Sequence, residues 1–351
     1  MENKNNVKSM IDASILTSIF IVLTLVSNML GLGFMGYYDF LVPVFFAIIY
    51  IKTDWKYCGL SIIVSAVVIL FVLGNPMSPI LIVQGAILGV ATGFALTKFD
   101  CIGDEIIFLS VVSLFILFIF DFILRTFTNV SIVSNFGEFS KEMSQMLDQA
   151  IKMVSQKGGN SQAIAVLEGY KTMVGTNYIK QIFYFNFGLM SFGTGFIVYF
   201  LSLILTKKLK LTLKGHTNKL RLVGSFKKNI RLIFSSRRVF IMMISYVLIA
   251  EILKVVKFET GIGYIDGIIY SLEYIFIIFT FKDSLVIMEN KMIAESGSLK
   301  PVRWYRVIMV IALLFNIKLM YTIAIVNYLI NDKDGKYRNI FKKALENNLA
   351  Q

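Results

Sequence analysis

Glu251, Lys254, Asp266, Glu273 and Lys318 are ionisable residues that fall within, or close to the ends of, long apolar runs. An ionised group deep in hydrocarbon costs several kcal/mol unless it is paired or hydrated, so such groups mark ion pairs, proton relays or solute contacts. Glu273 lies near the middle of one run, Glu251 well inside another, and Lys318 near the middle of the last. If runs 239–256 and 264–281 form a hairpin turning near Thr260, Lys254 and Asp266 reach similar depth and can pair near the outer face. Glu273 then lies deeper, without a partner on that hairpin. A single crossing by run 305–329 brings Lys318 to nearly the depth of Glu273 and predicts that these two pair. Such a pair either fixes helix register or takes part in transport. Asp121 and Arg125, four apart, predict an ordinary local pair.

Other chemistries find little support. No His/Glu metal motif, GxSxG elbow or acidic dyad on one helix occurs, so an enzyme is not expected. Without a GxxxxGK[ST] loop, ATP hydrolysis has to come from a partner. His216 is the only histidine, and Cys58 and Cys101 show no CxxC spacing. The sequence therefore predicts reduced thiols, no metal site and no cofactor.

The elements that carry these side chains are hydrophobic runs. With 56% hydrophobic residues, 16% charged and a mean hydropathy of +0.72, the chain could not cover a soluble globule with polar groups. Runs of transmembrane length occupy residues 12–30, 39–51, 57–73, 79–97, 105–124, 181–205, 239–256, 264–281 and 305–329, the second and third being short. They predict an all-α, polytopic transmembrane helical bundle of about eight to nine helices, with a six-helix unit at 1–206 and a C-terminal helical unit at 239–330.

Between these units, residues 207–238 hold eleven Lys and Arg and no acidic residue, and residues 331–351 form a charged tail. Lys4, Lys8, Lys52, Lys56, Lys98 and this basic segment fall on one side, while loops 31–38 and 74–78 are nearly free of charge. The positive-inside rule then predicts a multipass membrane protein with its N-terminus in the cytoplasm. The same rule accounts for the net charge of +13 without nucleic acid, and the excess also suits anionic lipid headgroups. An uncleaved first helix is expected, because its run is long and no small-residue cleavage pattern follows. One crossing by run 305–329 puts the basic tail outside, against the rule, whereas a re-entrant pair turning near residues 316–318 restores it. Both topologies stay open.

After the fifth run, Phe139, Met143, Met146, Leu147, Ala150 and Val154 recur at helical spacing. Gly158, Gly159 and Asn160 break the pattern before Ala163, Val166, Leu167, Tyr170, Met173 and Val174 resume it. An amphipathic hairpin is predicted at about 136–176, lying outside the cytoplasm, either on the membrane surface or as a lid over a cavity. In the fourth run, Gly85, Gly89 and Gly93 at four-residue spacing predict close helix packing, with Gly188, Gly193 and Gly195 as the expected matching surface.

Together, Asp12-Ala13-Ser14-Ile15-Leu16, the Pro43 helix, the glycine-rich fourth helix, the extracytoplasmic insertion and the closing Asn331-Asp332-Lys333-Asp334-Gly335-Lys336-Tyr337-Arg338 resemble the YybS-like family of bacterial membrane proteins, which has no assigned biochemical function. That family is similar in turn to the S components of energy-coupling-factor transporters, six-helix solute binders with both ends cytoplasmic. The resemblance implies that residues 1–206 are S-component-like. It also implies that Ala13 and Thr17, or Ser14 and Ser18, stand where an S component meets its coupling subunit, although the usual alanine pair is absent. A solute-binding or transport-related protein is thus expected, with the bilayer, a small-molecule solute and a membrane partner or energising subunit as its partners. The alternative is a non-transporting scaffold that recruits partners or anionic lipid through the basic segment.

Overall fold

The computed structural model describes residues 2–31, 36–129, 131–156, 161–174, 176–211, 219, 233–256, 258, 260, 263–296, 304–305, 307–308, 322, 325–326 and 328–330, and every element among them is helical. The order is α1 (Glu2–Met29), a π turn (Tyr37–Leu41), α2 (Val42–Lys52), α3 (Trp55–Leu73), α4 (Met77–Lys98), α5 (Ile102–Thr128), α6 (Ile132–Gln156), α7 (Ser161–Val174), α8 (Thr176–Lys208), α9 (Arg237–Val255) and α10 (Gly263–Ser296). Among the described residues, six helices are long and apolar enough to cross a membrane: α1, α3, α4, α5, α8 and α10. The expected second run becomes the π turn plus an α2 of only 11 residues. The seventh becomes α9, which carries Arg237, Arg238, Glu251 and Lys254. Most of the ninth run, Lys318 included, lies outside the described residues.

Helix ends follow local chemistry. Gly74 and Asn129 take left-handed φ values of 63° and 58°, and their N–H groups bond to Leu70 O and Arg125 O, closing α3 and α5. Ser236 caps α9, its hydroxyl accepting from Val239 N at 3.4 Å. α10 runs well past residue 281, and Asp283, Glu289 and Asn290 on that extension are buried.

One core forms where α5, α8 and α10 meet, with Leu109, Phe118, Val198, Tyr199 and Ile275 enclosed. A second joins α1, α2, α3 and α4 around Phe20, Phe46, Ile49, Ile69 and Ile82. The glycines of α4 serve the second core, but not against the expected surface. A Cβ on Gly85 would sit 2.8 Å from Tyr38 O, one on Gly89 2.4 Å from Pro43 O, and one on Gly93 2.7 Å from the Tyr50 ring. The surface they match is thus the π turn and α2. Gly188 instead abuts Ser271 of α10, Gly195 abuts Ser110 of α5, and Gly193 has open space.

The end of the basic segment is fastened to the bundle. Phe234 O accepts from Gly103 N (3.1 Å) and from the Cys101 thiol (2.7 Å), Asp104 accepts from Ser236 N (2.7 Å), and Asp283 accepts from Ser235 N (3.0 Å). Gly103 is required for this approach, since a Cβ there would lie 2.2 Å from Phe234 O. Burial pushes the Cys101 thiol up to about 11, which leaves it protonated at neutral pH.

The amphipathic hairpin forms as α6 and α7, joined by an Asp148–Lys171 ion pair of 2.6 Å. Met143, Leu147, Ala150 and Val154 are half-buried, whereas Met146, Met153, Val166 and Tyr170 are exposed.

Candidate functional site

The π turn departs from α-helical spacing for local reasons. Gly36 enters it at a φ of 76°, and Pro43, in the first turn of α2, has no N–H to continue the preceding ladder. Two phenols tie the turn to α1. Tyr37 shares a hydrogen bond with Thr24 (2.8 Å), and Tyr38 OH meets the Asn28 side chain (2.9 Å). With the turn held there and α2 drawn against the α4 glycines, a gap is left between them and the α5–α8 pair.

That gap is a half-open cavity of about 340 Å³. Its walls come from the π turn, α2, α4, α5 and α8, and are mainly apolar: Leu81, Leu88, Ile116, Leu117 and Ile197 among them. Hydrogen-bonding side chains from four elements interrupt this surface: Asp39 and Tyr38 on the π turn, Gln84 on α4, Ser113 on α5 and Thr194 on α8. Its lining residues include one carboxylate and no Lys or Arg. An apolar chamber of this size with a few convergent polar groups fits a small molecule, for which sites run about 300–1,000 Å³. The single carboxylate, amide and hydroxyls suit a solute that carries N–H or O–H donors. Among the described residues, none from α6 or α7 lines it.

Glu251, Lys254, Asp266 and Glu273 are not among the residues that line this cavity. Lys254 meets Glu273, its Nζ lying 2.7 Å from Oε1 and 2.6 Å from Oε2, with Glu251 Oε1 at 3.6 Å. The same ammonium lies over the rings of Tyr270 (5.5 Å) and Tyr274 (5.3 Å). This corrects two expectations: Lys254 does not pair with Asp266, and Glu273 does have a partner on its hairpin. Asp266 accepts instead from Thr260 N (2.9 Å) and Thr260 Oγ1 (2.8 Å), bracing the turn.

The reason lies in side-chain direction. Cβ atoms tilt toward a helix N-terminus. On α9 that aims Lys254 away from the turn, and on α10 it aims Glu273 toward the turn and Asp266 into it. Equal depth of Cα atoms is therefore not equal depth of charges. The expected Glu273–Lys318 pair involves a residue outside the described set.

Asp121 is a further correction. Its Oδ2 accepts from Ser131 Oγ (2.8 Å) and Tyr264 OH (3.0 Å), fastening α5 to the start of α10, while Arg125 is exposed. Sequence reasoning missed Asp39, Gln84, Ser113 and Thr194 as a set. Only Asp39 carried a signal, as a carboxylate between a glycine and a proline at the edge of an apolar run.

A family model described as "Predicted membrane protein (DUF2232)" matches residues 15–328, nearly the whole chain. The chain belongs to that family. The matched stretch takes in the π turn, the cavity and the Lys254–Glu273 clasp, so these are parts of one predicted integral membrane protein of the DUF2232 family. No curated protein and no solved structure matches the chain.

Proposed function

We propose that the protein binds a small polar solute in the Asp39–Gln84–Ser113–Thr194 cavity and serves its passage across the bacterial cytoplasmic membrane. The observation that carries this reading is the cavity itself, an apolar chamber within the helix bundle with hydrogen-bonding groups converging from four elements. The arrangement is consistent with the S-component resemblance of residues 1–206. In this reading the N-terminus is cytoplasmic, the protein is not an enzyme, and any ATP hydrolysis belongs to an energising partner. Thermal unfolding of the purified protein against vitamins, nucleobases, amino acids and metal ions tests it. A ligand at about 100 times its Kd stabilises the folded state by about 2.7 kcal/mol, and Asp39→Asn together with Gln84→Ala should abolish that gain. A folded protein that responds to no solute across the panel sinks the proposal.

A second reading, a scaffold that recruits partners or anionic lipid, is favoured by the exposed Lys207, Lys208, Lys210, Arg237 and Arg238 at the two ends of the basic segment. Neutralising these five should release the protein's partners or anionic vesicles while leaving solute binding unchanged.

A further inference from the structure

The hydrogen-bonding groups that line the cavity are unsatisfied. Among the described residues, the side chains of Asp39, Gln84, Ser113 and Thr194 make no hydrogen bond and no ion pair. Hydroxyls elsewhere on the same helices fold back on their own backbone. Thr92 donates to Leu88 O (2.8 Å) on α4, Ser110 to Ile106 O (2.7 Å) on α5, and Thr206 to Ser202 O (2.6 Å) on α8. Ser113 and Thr194 do not, although Ser113 is buried. Tyr38 differs from these four, because its hydroxyl is held by Asn28 and what it offers the chamber is ring surface.

Asp39 is the most telling of them. Other carboxylates packed into the bundle have a cation beside them: Lys219 donates to Glu105, Lys254 lies 2.6 Å from Glu273, and Lys282 lies 2.9 Å from Asp283. Asp121 and Asp266 accept from hydroxyls instead. Among the described residues Asp39 has neither, and no Lys or Arg lines the cavity. A carboxylate beside apolar walls with no counter-charge makes the local potential negative, and the low dielectric around it carries that field farther than water would. Asp39 is exposed, Gln84 and Thr194 are half-buried and Ser113 is buried. The charge thus stands toward the open side of the chamber and the Ser113 hydroxyl toward its closed side.

From this we infer that the solute is an organic cation: an ammonium on an apolar body, its positive end at Asp39 and a further polar group reaching Gln84, Ser113 or Thr194. The inference rests on the cavity being the solute site and names the class of solute it takes. An anion would meet Asp39 with no protein cation to receive it, and a neutral solute would leave the carboxylate unpaired. A metal ion is a poorer match, since calcium takes about 6–8 oxygen ligands and these walls are mainly hydrocarbon around one carboxylate. Tyr38 and Phe40 flank Asp39 in the chain and both line the cavity, so aromatic surface is at hand for the ammonium.

Two measurements on the full chain test this. In a background carrying Cys58→Ser and Cys101→Ser, Thr194→Cys reports the potential in the cavity without any ligand. The purified protein, in an uncharged detergent, is treated with two methanethiosulfonates of similar size, the cationic trimethylammonioethyl and the anionic sulfonatoethyl reagent. Their rate ratio, divided by the ratio for free 2-mercaptoethanol, is expected to favour the cation at least about tenfold. Asp39→Asn should bring that ratio close to the free-thiol value. The variant breaks no contact among the described residues and should fold; Asp39→Ser carries the same expectation. Thermal unfolding then compares size-matched amines, alcohols and carboxylates, with metal ions as a fourth set, and stabilisation is expected from amines alone and only with Asp39 intact.

A labelling ratio that Asp39→Asn leaves unchanged overturns the inference. So does stabilisation by a carboxylate, an alcohol or a metal ion that survives Asp39→Asn, and the solute reading then stands with a different ligand. Silence from all four sets in a folded protein overturns the solute reading, and this inference with it, whatever the labelling ratio.

Discussion

The α2–α4 and α9–α10 interfaces hold helices together by different physics. Along α4, Gly85, Gly89 and Gly93 bring a second helix to backbone contact, and the attraction is dispersion over closely matched surfaces. Between α9 and α10, Lys254 is gripped by Glu273, with Glu251 nearby and two tyrosine faces against the ammonium. The cavity adjoins the first interface and is far poorer in charge than the second. A shape-matched contact can border an apolar chamber without drawing in ions or water, whereas a charged contact organises everything around it. Glu251, Lys254 and Glu273, conspicuous in the sequence, meet between α9 and α10, and the polar side chains of the chamber are ones that sequence reasoning passed over.

The contrast breaks most sharply at Glu273. Glu273→Ala leaves Lys254 with its main partner gone inside a closed hairpin, and the expected loss is about 3–5 kcal/mol in unfolding free energy. Replacing both residues, Glu273→Leu with Lys254→Met, should recover most of that loss, because no unpaired charge remains. A double-mutant cycle in detergent measures the coupling directly. Equal losses in the single and double variants would show that the hairpin is held by packing, as α2 and α4 are, and the distinction drawn here would fail.

Gly89 gives the complementary test with a somewhat smaller effect. Gly89→Ala places a methyl 2.4 Å from Pro43 O and 2.8 Å from Phe46 Cβ, an overpacking expected to cost about 1–3 kcal/mol. No partner substitution should rescue it. Phe46→Ala cannot move a backbone carbonyl, so the combined variant should be no more stable than Gly89→Ala alone. Recovery in the pair would mean that the contact is set by side chains. The cavity should also change, since α2 forms part of its wall, and the response to a bound solute should weaken with stability.

At the end of the bundle where α10 begins, Tyr264→Phe removes a hydroxyl that donates to Asp121 while Ser131 still donates to the same oxygen. One hydrogen bond to a charged group is lost and no buried charge is stranded, so about 1.5–3 kcal/mol is the ceiling. Asp121→Asn should cost more than Tyr264→Phe, because both donors then face a weaker acceptor. The reverse order in thermal unfolding would mean that Tyr264 acts through its ring, which packs edge-on against Phe118 and Phe122.

These cases show what a single sequence makes legible. Membrane location, the helical class and the hairpin at about 136–176 follow from composition and periodicity, which are local properties. The α4 glycine face was legible as a packing face, but its partner was not. Spacing identifies a surface without naming the surface that meets it, so Gly188 and Gly195 turned out to serve α10 and α5. The Lys254–Asp266 pairing failed because depth was counted along the backbone while lysine and glutamate act from the ends of tilted side chains. Glu105 was visible only as the edge of a run, since its partner Lys219 is 114 residues away in a segment that reads as surface charge. The cavity was least legible of all, being space enclosed by five elements and not a property of any one.

The α6–α7 hairpin is held by neither shape nor charge on the scale of the other two, and it is where the smallest effect is expected. Its Asp148–Lys171 pair is nearly half exposed on both sides, so it contributes at most about 1 kcal/mol. Met146 and Met153 are exposed by 64% and 60%, so replacing both with serine removes little buried surface. Unfolding of the bundle should shift by no more than about 0.5 kcal/mol. Amide exchange carries the argument further: α6 and α7 should exchange faster than α4 by orders of magnitude, because local opening there disturbs few enclosed contacts. A loss well above 1 kcal/mol, or exchange as slow as in α4, would place the hairpin inside the cooperative unit. The bundle would then have a third kind of interface, built on the half-buried Met143, Leu147 and Val154, alongside the two compared above.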